Sequence, residues 1–377
     1  MAIERGLART GHARRRSMSS VLAVVVALIG VACGTSPARP APTTSPSARL
    51  DPESLAIVGG EGAIGVVSNG TLIEGLKLAG GEGSADASTS LAVVLAGEEL
   101  AVLRLRDRSV RRRACSGCGS VTAVGDRVVT VGKDFVAQVY DDELKLLATL
   151  PLDHVVTPLD APNPDGFFVP ALVGAVNGLF VIEYLDAAGG VRAGPSWLSS
   201  YTIEGKLEKH VRVDDVVEGA IPNAAGTQLM IDAGGSGGAC AHGSTPSTWD
   251  GRGALQDLVP GDEDANGDKL FDLYDAYWNG DQIVTVGTWR ADFPCREEPV
   301  LREWSPGKPS TWQQIPNDLD GARIVGPGCG TLLVTQGVKP ALRLEHAGAS
   351  RPLPGFNSVL WSAAPAQRCP DIRSRLG

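Results

Sequence analysis

An all-β fold built from repeated sheet modules is predicted by three observations. The octet Gly125–Gly132, GDRVVTVG, returns almost unchanged as Gly280–Gly287, GDQIVTVG, with different sequence between the two copies. The composition of 47 Gly and 25 Pro against 3 Met and 5% aromatics suits many turns joining short strands, not long helices. Third, glycine-opened apolar runs recur along the chain, beginning at Gly62, Gly97, Gly125, Gly178, Gly226, Gly280 and Gly330. Their spacings of 35, 28, 53, 48, 54 and 50 residues average about 45, the period of a four-stranded sheet repeated around a ring.

The segments downstream of these glycines support the same unit. FVAQVYDDELKLLATLP, PVLREWSPGKPSTWQQIP and ALRLEHAGASRPLPG each read as strand, polar turn, strand, then Pro. A single twisted sheet of this kind cannot bury both its faces, but a closed circle of sheets can. Seven units over residues 50–365 predict a seven-bladed β-propeller; the short second spacing leaves six or eight blades open. A pair of β-sandwiches with unrelated glycine turns is the competing arrangement. On the ring reading, the octet recurs because two blades share one buried strand and its entry turn.

The first residues read as an address. RTGHARRRS lies in a basic leader, and Val21–Ala32 is an unbroken run of 12 apolar or Gly residues. A spanning helix needs about 20 such residues, so the run is the core of an export signal. GVACG then places small residues ahead of Cys33 and resembles the lipobox of bacterial lipoproteins, although Gly30 stands where that pattern has Leu. The resemblance implies that residues 1–32 are removed and that Cys33 carries lipid, including a palmitate-type chain, at the outer face of a bacterial membrane. Cleavage nearby with simple secretion is the alternative. Residues 33–49, rich in Pro, Ser, Thr and Ala, cannot form a core and read as a disordered tether. Residues 50–377 then hold the propeller domain.

From Cys33 onward the chain carries 29 basic and 42 acidic residues, a net charge of −13, which argues against nucleic acid as a partner. With Cys33 lipidated, Cys115, Cys118, Cys240, Cys295, Cys329 and Cys369 remain. Six cysteines allow three disulfides, which persist outside the reducing cytoplasm. Fifteen pairings exist; the expected set is Cys115–Cys118, Cys240–Cys295 and Cys329–Cys369. The CSGC stretch also has the spacing of a redox pair, but strand-like sequence comes after it where a thiol-activating helix would be needed.

Other motifs weigh less. GEGAIG (Gly60–Gly65) fits a dinucleotide-binding glycine pattern, yet an Asn-Gly hairpin comes next in place of a helix. GGSGG around Ser236, with His242 nearby, lacks the strand–elbow–helix of a serine hydrolase. DANGDKLFDL resembles the calcium loops of integrin-type propellers. That resemblance implies side-chain ligands from Asp264, Asn266, Asp268 and Asp272, and a carbonyl from Leu270, with Lys269 where the family has Gly. A metal-free acidic turn is the plainer reading, so calcium is the one cofactor expected, and conditionally. SPGKPSTW and HGSTPSTW share PSTW and distantly resemble the Asp-box of sialidase-type propellers, without its Asp and Gly. Arg104, Arg106 and Arg108 in RLRDRSVRRR alternate as if on one strand face. They form either a patch for anionic headgroups or a charged outer strand that discourages edge pairing. The four histidines after the signal show no ligand spacing for zinc.

Together these features predict a membrane-anchored extracytoplasmic propeller that binds or scaffolds a protein or glycan ligand. The alternative, from a different class, is a propeller-fold hydrolase acting on extracellular glycans. Two carboxylates with Arg at the ring axis would favour the hydrolase, and a funnel of small and apolar residues would favour binding.

Overall fold

The computed structural model describes residues 49–369, apart from 61, 74–77, 80–82, 133–134, 153–167, 187–195, 214–215, 237–241, 245, 259–269, 292–295, 306–307, 315–318, 326–328 and 336–338. Within these, every strand pairing is antiparallel, and the one helical segment is the 3₁₀ turn Pro52–Ser54. The strands form seven sheets arranged as blades of a ring, as the sequence predicts. The innermost strands of blades 2 to 7 are Ser84–Ala87, Cys118–Val124, Phe168–Val176, Val216–Pro222, Leu270–Asn279 and Leu319–Val325. Blade 1 is composite. Its innermost strand is the C-terminal Ser358–Ser362, which pairs antiparallel with the N-terminal strand Leu55–Gly60 and so closes the circle.

The ring explains the repeated octet. In blade 3 the register Val124↔Arg127 leaves Gly125–Asp126 as a two-residue hairpin loop, and in blade 6 Asn279↔Gln282 leaves Gly280–Asp281. Gly125 (φ 61°) and Gly280 (φ 68°) have positive φ while the next residues, both Asp, do not, which is the type II′ turn that asks for Gly first. The strand after each turn is the second of its blade and is buried on both faces. Val128 packs toward blade 2 with Val93 and Val102, whereas Val129 and Val131 pack toward blade 4 with Phe180 and Tyr184. Ile283 likewise joins Met230 of blade 5, and Val284 and Val286 pack on the other side. Strand alternation thus sends neighbouring residues into neighbouring seams, and the run reads as continuously apolar for that reason.

The same rule builds apolar clusters at other seams of the ring among the described residues. Ile57 and Val66 of blade 1 meet Val94 and Leu103 of blade 2. At the far seam Ala56 and Val58 meet Leu332 and Leu344 of blade 7. Between blades 4 and 5, Val181 and Leu198 meet Leu229, Ile231 and Trp249. A blade left alone would expose both of these surfaces to water, so the modules are stable only as a circle.

The glycine spacings are also explained. Gly62 and Gly97 sit in the turns between second and third strands of blades 1 and 2, while Gly125 sits between first and second strands of blade 3. The interval of 28 residues therefore measures a change of position within the blade, not a missing blade.

Two of the expected disulfides are present. Cys115–Cys118 joins the outer strand of blade 2 to the start of blade 3, and Cys329–Cys369 ties the C-terminal tail to blade 7. Cys240 and Cys295 lie outside the described residues.

Candidate funnel site at the ring axis

Among the described residues no sheet pairing joins the innermost strands of neighbouring blades. Side chains bridge the seams instead. The Leu172 N–H of blade 4 donates to Ser120 Oγ of blade 3 at 2.7 Å, and the Val217 N–H of blade 5 donates to Ser196 Oγ of blade 4 at 3.1 Å. Trp278 Nε1 of blade 6 donates to the Ile221 carbonyl of blade 5 at 2.8 Å. Arg323 of blade 7 donates from Nη1 to Ser362 Oγ of blade 1 at 3.4 Å.

Between blades 2 and 3 the bridge is a carboxylate. Asp86 is only 6% exposed. Its Oδ1 accepts from the Ala87 N–H at 2.8 Å, and its Oδ2 accepts from Thr122 Oγ1 and from the Ala123 N–H at 3.1 Å. Burial raises its pKa from 3.8 to about 6, with those hydrogen bonds pulling the other way. The indole N–H of Trp361 contributes the weakest of the stabilising pulls while closing no hydrogen bond of ordinary geometry.

Asp86 stands between two spaces. On one side is an axial cavity of about 270 Å³ to which all seven blades contribute, including Val121, Gly174, Ala276 and Leu360. Its charged lining groups are Asp86, Asp232 and Arg323. On the other side is a funnel mouth of about 350 Å³, formed by blades 1 to 5 at the end that carries the turns between first and second strands. Its wall is mostly small residues, among them Ala123, Ala175, Ala224 and Ala363. Gly125, the first residue of the octet, is on this rim, and Ser88 Oγ donates to its carbonyl at 2.5 Å.

The second octet copy is covered by the tail. The Gly280 N–H donates to the Pro365 carbonyl at 3.2 Å, and Asn279 Oδ1 accepts from the Cys369 N–H at 2.7 Å. The tail thus covers the turn of blade 6, while the mouth opens over blades 1 to 5.

The residues singled out in the sequence fall elsewhere. Cys33 lies outside the described residues, as do Asp264, Asn266 and Asp268. Leu270 and Asp272 fall in the innermost strand of blade 6, paired with Arg290 and Thr288. Among the described residues no group of three His, Cys, Asp or Glu side chains is arranged to hold a metal ion. The two PSTW segments occupy different places: Ser247–Trp249 is the third strand of blade 5, and Lys308–Gln314 is the fourth strand of blade 6. Trp249 is tucked inward, 1% exposed, with Nε1 donating to the Gly253 carbonyl at 3.0 Å.

The basic cluster needs correction. The strand Glu99–Arg104 ends at Arg104, and Arg108 has φ 59° in the turn beyond it, so Arg104, Arg106 and Arg108 do not share a strand face. Nor is the cluster an open patch for anionic headgroups, since carboxylates of the protein itself engage its arginines. Arg104 pairs with Glu143 and lies 3.8 Å from Asp142; Arg106 reaches Asp142 at 3.2 Å, and Arg111 reaches Glu143 at 2.5 Å. Asp142 and Glu143 belong to blade 3, so these arginines lock blade 2 to its neighbour. Sequence reasoning missed Asp86, Asp232, Arg323 and Trp361, because none belongs to a spaced motif and only the ring brings them to one axis.

Seven antiparallel sheets, closed by the C-terminal strand around a small-walled funnel, define the chain as a seven-bladed β-propeller. No protein-family model matches it, and no curated sequence is significantly similar to it. Solved propellers are similar in fold. The β-propeller domain of Cps50 (Swd1) from Myceliophteria thermophila aligns with TM-score 0.50 at 11% identity, over 80% of this chain and 97% of that one. The dihydro-heme d1 dehydrogenase NirN aligns with TM-score 0.46 at 13% identity, over 85% and 78% of the two chains. The propeller domain of the Trilobed protease from Pyrococcus furiosus, whose topology is open, aligns with TM-score 0.43 at 8% identity, over 72% and 82%. At such identities the likeness concerns fold alone.

Proposed function

We propose that this chain is an extracytoplasmic binding propeller, held at a bacterial membrane by lipid on Cys33, which receives a protein or glycan ligand at the funnel mouth. The observation that carries the binding part is the mouth itself: about 350 Å³, walled by small side chains, within the size range of ligand pockets. The glycan-hydrolase reading draws on Asp86, Asp232 and Arg323 lining the axial cavity, two carboxylates and a guanidinium. That cavity is smaller, about 270 Å³, and Asp86 already accepts three hydrogen bonds within the protein. A carboxyl committed to joining two blades is poorly placed to shuttle a proton to a glycosidic oxygen, so binding is the better supported reading.

Two experiments test this. Envelope peptides and glycans titrated against the protein should change Trp361 fluorescence without being cleaved; turnover of a glycan would establish the hydrolase instead. Cys33→Ser should move the protein from the membrane fraction to the soluble fraction, and unchanged membrane retention would refute the lipid anchor. The calcium loop at Asp264–Asp272 is a separate proposal. If it binds calcium, EDTA at neutral pH lowers the melting temperature by several degrees, and an unchanged melting temperature removes it.

A further inference from the structure

We infer that the floor of the funnel mouth recognises an ammonium group on a small aliphatic stem, with Asp86 as its counter-charge. This rests on reading the mouth as the binding site. The ionisable groups lining it are Glu53 and Asp86, both acidic, and no Lys, Arg or His lines it among the described residues. The polar side chains of the wall are largely committed. Asn177 Nδ2 donates to the carbonyls of Thr227 and Asp250 at 3.1 and 2.9 Å, and Asn223 Oδ1 accepts from the Thr227 N–H at 2.8 Å. Ser88 Oγ donates to the Gly125 carbonyl and accepts from the Ser90 and Leu91 N–H groups, both at 3.2 Å.

The mouth still offers an aliphatic wall and one carboxylate. Asp86 uses one acceptor site on Oδ1 and two on Oδ2, leaving one of its roughly four lone-pair sites met only by the Trp361 indole N–H, which closes no hydrogen bond of ordinary geometry. No ion pair reaches it among the described residues. A buried carboxylate with hydrogen bonds but no cation gains most from a ligand that brings one. The charged groups around it are Glu53 on the mouth side and Asp232 and Arg323 on the axial side, while Thr122 and Trp361 meet it from blades 3 and 1. A free amine and the N-terminus of an extended peptide share the required chemistry.

The test uses n-butylammonium, its neutral counterpart n-butanol, and alanyl-alanine amide with a free or acetylated N-terminus. Binding is read from Trp361 fluorescence, with Trp361→Phe supplying the background from the other tryptophans. The free-amine probes should bind at least tenfold more tightly than butanol and the acetylated peptide at pH 7. Their affinity should fall about tenfold from pH 7 to pH 5, following ionisation of a carboxyl with a pKa of about 6. Asp86→Asn should remove both the preference and the pH dependence, and the pH profile of the unaltered protein gives the same answer if that variant folds poorly. Tighter binding of the peptide than of butylammonium would make the natural source a chain terminus; the reverse order would make it a free amine. Equal binding of amine and alcohol with no pH dependence overturns the ammonium inference while leaving the mouth as a binding site. No response to any probe, charged or neutral, also overturns the ammonium inference, and the titration with envelope peptides and glycans then decides the mouth.

Discussion

Deleting residues 358–377 should abolish cooperative unfolding of the whole ring, the largest effect anticipated for any change to this chain. Ser358–Ser362 is the innermost strand of blade 1, and its register with Ala56–Gly59 is the covalently distant contact that makes the ring a circle. Without it, Leu55–Gly60 becomes an open edge, and Leu360 and Trp361 no longer pack on the Ile57 and Val94 cluster. The deletion also removes Cys369, which is disulfide-bonded to Cys329 and clamped by Asn279. A closed ring shares its stability around every seam, whereas an opened one exposes two apolar faces and an edge prone to pairing with other chains. Urea unfolding followed by near-ultraviolet circular dichroism should change from one sigmoidal transition to a broad, low-midpoint one. The double variant Cys329→Ser, Cys369→Ser isolates the covalent part: a bridge across 40 residues contributes about 4 kcal/mol on the chain-entropy scale. Breaking Cys115–Cys118, which spans three positions, should cost far less. A truncated protein that kept the wild-type midpoint would show that the circle is not what holds the blades.

The parts of this architecture legible beforehand are those written locally. The octet could be read as a turn plus a buried strand because a type II′ loop demands Gly at one place, and a strand buried on both sides must be apolar at every position. Cys115–Cys118 and Cys329–Cys369 were likewise within reach of sequence proximity and tail position. The features beyond reach depend on closure. That Ser358–Ser362 completes the first blade is a contact across some 300 residues, and no local signal marks SVLWS as an innermost strand. Asp86 sits in the short run SADA, which looks like a turn, and its importance arises only because blade 3 offers it Thr122 and the Ala123 N–H. The arginine cluster misled for a related reason: alternation implied a strand face, but Asp107 and Ser109 fold the chain back, and Asp142 and Glu143 come from the next blade.

Asp86 should make the protein lose stability as pH rises, against the usual trend for carboxylates. Its pKa is 3.8 when exposed and about 6 in the folded ring, so over that interval the folded state holds more protons than the unfolded state. Stability then falls with rising pH. The contribution is fully present below about pH 3.8 and is lost as pH passes through about 6. Each pH unit between the two values is worth 1.36 kcal/mol, giving about 3 kcal/mol in all. Asp250 acts in the opposite sense, since backbone N–H groups of Gly253 and Arg252 hold its carboxyl below the usual range. Its stabilisation is present above the unfolded value and lost as pH falls through the folded one. The raw pH profile mixes such groups, so the informative quantity is the difference between the wild type and Asp86→Asn. Urea midpoints measured at half-unit steps from pH 4 to 7.5 should show the variant gaining on the wild type by about 2.4 kcal/mol as pH rises, the remainder lying below pH 4. Parallel curves would mean that Asp86 titrates as it does in the unfolded chain and that water reaches it freely. The cost at neutral pH is the same unbalanced charge that an ammonium ligand would neutralise, so that ligand, if bound, should flatten the wild-type curve toward that of the variant.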